Sequence, residues 1–182
     1  MISVIVPAYK NPDEVDRLLA SIAERCRDST PFEVIVVDDG SADDALGAVC
    51  ARYPFARCLR LAANRGAAAA RNAGAAEAQY DLLVLFDADM VLLSDVIGLA
   101  SKMFDDSAVD AVVGAVSPIP MNAGAFRQFW ALVKAYSLPS GKESSTFYPM
   151  VAAIRKRVLL SIGGFDERFR GATVEDIEIS MR

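Results

Sequence analysis

The chain of 182 residues contains no histidine. That absence removes imidazole as general base or metal ligand, so acid–base chemistry falls to carboxylates, lysine or tyrosine. Histidine triads and zinc sites of the HExxH type are excluded within these residues. Cysteine is scarce and odd in number: Cys26, Cys50 and Cys58 lack metal-type spacing, and reduced core thiols are expected rather than a disulfide framework. No run of about 18 apolar residues occurs, and no basic leader precedes the strand-like start Ile2–Val6. No membrane span is expected in this chain, and its expected location is cytoplasmic. A surplus of positive charge is missing too, with 19 Lys and Arg against 24 Asp and Glu. The net charge of −5 argues against a nucleic-acid partner, although a local basic cluster can still hold phosphates.

What is present fits one well-packed domain: 53% hydrophobic residues and few prolines, without repeats. Ile2–Val6 is a β-branched run stopped by Pro7. Val15, Leu18, Leu19 and Ile22 then recur at helical spacing. Glu33–Asp38 reads as a second strand, followed by Ser41-Ala-Asp-Asp44, which has the capping-box form for a helix to about Arg52. Arg57–Leu61 is a short third strand. Asn64-Arg-Gly66 turns into an alanine-rich helix to about Ala78, Tyr80–Phe86 makes the fourth strand, and Ser94 caps the helix that follows. Val109–Val116 fits a fifth strand. This alternation predicts an α/β fold, a Rossmann-like, mostly parallel sheet with helices on both faces.

Beyond Val116 the alternation fails. Phe126, Phe129, Trp130 and Val133 follow helical spacing and suit core packing, and Leu138–Thr146 reads as a loop. Tyr148–Ile154 returns as a strand, Arg155–Ile162 as a short helix, and Gly163-Gly164 ends it. A further helix starts near Glu175 and meets the last residue, Arg182. The chain is therefore expected to be a piece of a longer protein, in which membrane association remains open.

The chemistry gathers at strand ends. Asp81-Leu-Leu-Val-Leu-Phe-Asp87-Ala-Asp89 is an apolar strand running into two carboxylates, and in open α/β sheets ligands bind beyond the carboxyl ends of the strands. Carboxylates so placed suit Mg²⁺ or Mn²⁺ completed by substrate phosphate oxygens, and they equally suit a solvated turn. Asp38 and Asp39 can accept hydrogen bonds from a base imide or ribose hydroxyls, or serve an Asp-Gly turn. Asn64-Arg65-Gly66 opens a helix whose amides favour anions, with Arg71 about two turns on as a phosphate partner or a plain surface cation. Glu175-Asp176 offers a carboxylate to a substrate hydroxyl, or ordinary helix N-terminal charge. Arg155, Lys156 and Arg157 offer further phosphate contacts or a solvated helix end.

Taken in order, Val4-Ile-Val-Pro-Ala-Tyr9, Val36-Val-Asp-Asp-Gly-Ser41, Asn64-Arg-Gly with Ala70-Arg-Asn-Ala-Gly74, Phe86-Asp-Ala-Asp89, Gly163-Gly-Phe-Asp-Glu167 and Glu175-Asp176 resemble the family 2 glycosyltransferases of GT-A fold. The likeness spans essentially the whole chain. It implies metal-dependent transfer of a sugar, with inversion, from a nucleotide diphosphate donor, usually UDP-linked, to a carbohydrate, lipid-linked or small-molecule acceptor. By that likeness the nucleotide-binding candidates are Pro7, Ala8, Tyr9, Asp38, Asp39, Asn64, Arg71 and Asp87. Asp89, with Asp87, is the candidate ligand set for Mg²⁺ or Mn²⁺. Asp176 is the candidate general base, with Glu175 as its positioning neighbour. Residues 1–116 form the donor half and 117–182 the acceptor half of a single catalytic domain.

The pattern departs from many relatives in one place: Met90 stands where a third acid often follows the Asp-x-Asp. Two other classes stay open. A nucleotidyltransferase shares the fold and the acids but needs a glycine-rich, basic loop after the first strand, where this chain has Ala8-Tyr-Lys-Asn-Pro12. A non-catalytic nucleotide-sugar-binding module needs no base, which the presence of both Asp89 and Asp176 argues against.

Overall fold

The computed structural model describes residues 1–117, 146–169 and 175–182. Among them, six strands form one sheet in the order β3-β2-β1-β4-β6-β5. β1 (Ile2–Ala8), β2 (Phe32–Asp38), β3 (Ala56–Arg60) and β4 (Leu82–Phe86) run parallel. β6 (Val151–Arg155) lies antiparallel to β4, and β5 (Ala111–Val113) antiparallel to β6. The helices are α1 (Pro12–Arg25), α2 (Ala45–Cys50), α3 (Ala67–Glu77), α4 (Val96–Met103), α5 (Lys156–Ser161) and α6 (Glu175–Ser180).

Successive strand residues point to opposite faces, and both faces are apolar, as a sheet covered on two sides requires. Val4, Val6, Val34, Val36, Val84 and Phe86 meet α1, α2 and α4 through Leu18, Leu19, Leu46 and Ile97. Ile5, Ile35, Val37, Leu83 and Leu85 meet α3, α5 and α6 through Ala70, Ala75, Leu159 and Ile179. Alanine suits α3 twice over, as the best helix former and as a side chain short enough to let the helix lie close to the sheet. The approach is tightest at Gly74, where an added Cβ would stand 2.5 Å from Ile5 Cγ2. Each fully buried Leu, Ile or Phe here contributes roughly 1.5–3 kcal/mol.

Several local expectations are corrected. β1 continues through Pro7 to Ala8 instead of stopping before it. The Ala8 carbonyl accepts from Asp39 N on the β2 side, so the Pro7 backbone faces β4, where pairing has already ended at Ile5–Leu85. The missing N–H of proline therefore costs the sheet nothing. The capping box at Ser41 does not form: α2 begins at Ala45 and ends at Cys50, and the Ser41 hydroxyl accepts from Lys10 N instead. Asp95, not Ser94, caps α4, its carboxylate accepting from Gly98 N at 2.8 Å. The fifth strand is shorter than Val109–Val116: Ala111–Val113 pair residue for residue with β6, and single bonds at Asp110 and Gly114 close the pairing at its two ends. The expected helix around Phe126–Val133 and nearly all of the Leu138–Thr146 loop lie outside the described residues.

Candidate active site

The carboxyl ends of β1, β2 and β4 open on one edge of the sheet, and the turns that follow them carry most of the sequence candidates. After β2 the chain reverses at Gly40, whose φ of +76° is the left-handed region open to glycine. An added Cβ there would stand 2.5 Å from the Ala63 carbonyl carbon, so the β2 turn and the segment before α3 are in direct backbone contact.

Both aspartates of that turn are buried and fully engaged. Asp38 accepts from Ser41 N at 2.9 Å and lies 3.5 Å from Arg60 Nε. Asp39 accepts from Arg65 N at 2.8 Å and from Gly66 N at 2.7 Å. Asp39 thus ties down the two residues that lead into α3, placing its negative charge close to the positive end of that helix. Asn64, next to them, is exposed. Ala8 is buried, and Tyr9 is 42% exposed with Lys10 Nζ 4.9 Å from its ring centre. Lys10 itself has φ +55°, held there by the bond from its N–H to Ser41 Oγ.

Arg71 is no surface cation. It is 4% exposed, donates from Nη2 to Asp87 Oδ1 at 2.7 Å, and sets its guanidinium carbon 5.4 Å from the centre of the Phe165 ring. Asp87 keeps about a third of its side chain open to solvent (36%), so one carboxylate is at once tied to a buried arginine and available from outside. Its backbone N–H donates to the Met150 carbonyl at 3.1 Å, and its carbonyl accepts from Met90 N at 3.2 Å. That tight turn carries Asp89, which is exposed.

Hydrogen bonds tie the helix that carries the acceptor-side candidates to the chain leading into β6. Asp176 sits in the first turn of α6, half-buried, and its carbonyl accepts from Ser180 Oγ. That hydroxyl accepts from Phe147 N at 2.7 Å, and the residues from Phe147 lead into Met150 and β6 beside Asp87. Glu175 begins the same helix. Arg182 fastens the helix from its other end, donating to the carbonyls of Ile162 and Gly164 and to Glu178.

Of the two readings of the basic triplet, the solvated helix end describes the exposed Arg157, whereas Arg155 and Lys156 serve backbone carbonyls. Arg155 donates to the carbonyls of Val109, Phe104 and Asp106, Lys156 to that of Ala78, and Arg157 to Asp110. Arg155 is paired with Leu82, at the opposite edge of the sheet from Asp87. The sequence reading missed the roles of Asn72 and Phe165. Asn72 accepts from Phe165 N and donates to its carbonyl, both at 2.8 Å, a pairing visible only once the two segments meet.

Among the described residues, no group of three or more Asp, Glu or Cys stands ready to hold a metal unaided. Asp87 and Asp89 nevertheless present hard oxygen donors on one turn with an open approach. Such a pair fits a cation that keeps several waters and takes phosphate oxygens from a nucleotide, as Mg²⁺ and Mn²⁺ do. The three cysteines carry no such role and are free thiols.

A Rossmann-like sheet with an antiparallel strand beside its central parallel ones, and acids gathered beyond β2 and β4, is the GT-A arrangement. The chain belongs to glycosyl transferase family 2, whose profile matches residues 3–169. The probable glycosyltransferase YdaM of Bacillus subtilis (strain 168) is 25% identical over 208 aligned positions, covering 100% of this chain and 46% of the relative. The chain spans 29% to 46% of the length of the first curated relatives that it matches. Of solved structures, the mannosyltransferase PcManGT from Pyrobaculum calidifontis in complex with GDP-Man and Mn²⁺ superposes with a TM-score of 0.73 at 24% identity. That match covers 98% of this chain and 50% of the other. S. aureus TarS 1-349 in complex with UDP-GlcNAc gives a TM-score of 0.74 at 22% identity, over 99% of this chain and 52% of the other. At these identities the two structures establish the fold.

Proposed function

We propose that the chain is the catalytic domain of a metal-dependent, inverting glycosyltransferase that moves a sugar from a nucleotide diphosphate, UDP in the first place, to an acceptor hydroxyl. The observation that carries the reading is the Arg71–Asp87 pair. It places a buried cation and a part-open carboxylate at the end of β4, one residue from the exposed Asp89. Membership of the family and the GT-A fold supply the class of chemistry.

Pro7, Ala8, Tyr9, Asn64 and Arg71 line the nucleotide side. Asp38 and Asp39 shape it, since their carboxylates are spent on the turn and on the start of α3. Asp89, with Asp87 beside it, is the place for Mg²⁺ or Mn²⁺, which when bound neutralises charge on the leaving diphosphate. Asp87 would approach the ribose or a water held by the metal. Asp176 takes the proton from the acceptor hydroxyl, with Glu175 as its neighbour; in a chain without histidine a carboxylate is the natural base. Residues 1–116 serve the donor and 117–182 the acceptor, which is a carbohydrate, a lipid-linked or a small molecule. No nucleic acid is a partner, and among the described residues no helix is long and apolar enough to cross a membrane.

The test is turnover of UDP-sugars by the full-length protein, followed as UDP release. Asp176→Asn is expected to lower kcat by about 10²- to 10⁴-fold, the usual contribution of a positioned general base, while UDP affinity stays unchanged. Unchanged turnover in that variant would remove Asp176 from the mechanism.

A further inference from the structure

We propose that Asn72 is a positioning residue that locks the Gly163–Glu167 turn onto α3 and thereby fixes, through Phe165 and Arg71, the direction of the Asp87 carboxylate. The proposal rests on the donor-site reading above for its effect on binding, and on geometry alone for its effect on Arg71.

The Asn72 amide meets the backbone of Phe165 at both polar atoms, accepting from its N–H and donating to its carbonyl at 2.8 Å, as a neighbouring strand would. Its Nδ2 also donates to Glu167 Oε1 at 3.0 Å, and Glu167 pairs in turn with Arg65 at the start of α3. Phe165 is 2% exposed, so the ring has little freedom once its backbone is held. That ring lies against the Arg71 guanidinium, whose Nη2 holds Asp87. Asn72 and Arg71 are consecutive on one helix, so the turn, the cation and the acid form one mechanical unit across two distant parts of the sequence.

Gly164 supports the same reading from the other side. Its φ is +73°, and an added Cβ would stand 2.7 Å from Asn72 Oδ1. The turn is shaped to let the amide in. An asparagine serving only stability needs no link to a part-open acid, whereas here three contacts lead from it to Asp87.

The experiment compares wild type, Asn72→Ala and Asn72→Asp, with Ile22→Ala on α1 as a control that weakens the hydrophobic layer on the other face of the sheet. Two quantities are read: the Kd for UDP in Mn²⁺ and the resonance of the Arg71 Nε proton in the free protein, which the Phe165 ring current displaces. Both Asn72 variants are expected to bind UDP about fivefold more weakly or worse, within the range of mutations that act through a packed network, and to move the Arg71 signal. Ile22→Ala is expected to lower Tm and leave both readings in place. An Asn72→Ala protein with wild-type Kd and an unmoved Arg71 resonance would overturn the proposal. Should wild type bind no UDP, the donor reading fails, and the Arg71 resonance decides the role of Asn72 alone: movement in Asn72→Ala supports it, constancy overturns it.

Discussion

Replacing Asp39 by asparagine tests whether the buried carboxylate holds the start of α3. The side chain is 4% exposed and each oxygen accepts one backbone N–H, from Arg65 at 2.8 Å and Gly66 at 2.7 Å. Asparagine keeps one acceptor and turns an NH₂ group towards the second N–H, so one bond is lost and two donors face each other. A hydrogen bond to a charged group contributes about 1.5–3 kcal/mol, and the favourable charge at a helix start about 0.3–1 kcal/mol more. The expected loss is therefore ~3 kcal/mol, which lowers Tm by roughly 6–12 °C in a domain of this size. Urea unfolding at pH 7 without ligand, followed by circular dichroism, gives the number. Asp89→Asn is the control, because Asp89 is exposed and its change is expected within about 0.5 kcal/mol. Equal stability of the two variants would refute the assignment of Asp39 to the α3 start.

Three further outcomes are expected. Iodoacetamide at pH 8 labels Cys58 before the other cysteines: it is half-buried and its thiol is drawn down by a hydrogen bond from Cys50, whereas burial pushes Cys26 up to about 12 and the Cys58 contact with burial raises Cys50; mass spectrometry of the adducts checks the order. In acid, Asp16 is held below its ordinary 3.8 by the Tyr53 hydroxyl and by Arg52, and Asp166 is drawn to about 2 by Arg168. Folded values below unfolded ones mean stability that is present above about pH 4 and lost as pH falls towards 2, so Tyr53→Phe flattens the acid limb of a Tm-against-pH curve. Asp95→Ala, which removes the cap of α4, is expected to cost about 1 kcal/mol by denaturant titration, and Ser94→Ala much less.

The strands were legible because burial on two faces demands near-continuous Val, Ile and Leu, and a run such as Leu82–Phe86 has few other uses. The strand-end position of the candidate acids was legible for a related reason: a polar residue that ends such a run falls at the edge where α/β sheets bind ligands. Local capping misled, since Ser41 and Ser94 both have the chemistry of a cap. Lys10 N claimed Ser41, and Asp95 took the place expected of Ser94. The fate of Arg71 turned on Phe165, 94 positions further along, and no spacing rule connects them. Arg155 and Lys156 show the converse: their charges suggested phosphate or a solvated helix end, yet the fold spends them on backbone carbonyls at the far edge of the sheet. Side chains that serve one element can be read locally, whereas those that join two elements require the packed molecule.

We propose that the ends of β1, β2 and β4 form a donor site in which nucleotide and metal bind together. Calorimetric titration of the folded protein with UDP and GDP, each in Mn²⁺ and again in EDTA, tests it most directly. UDP is expected to bind in Mn²⁺ and to lose that binding in EDTA and in Asp89→Ala. Binding of neither nucleotide, or UDP binding that is indifferent to both EDTA and Asp89→Ala, would contradict it.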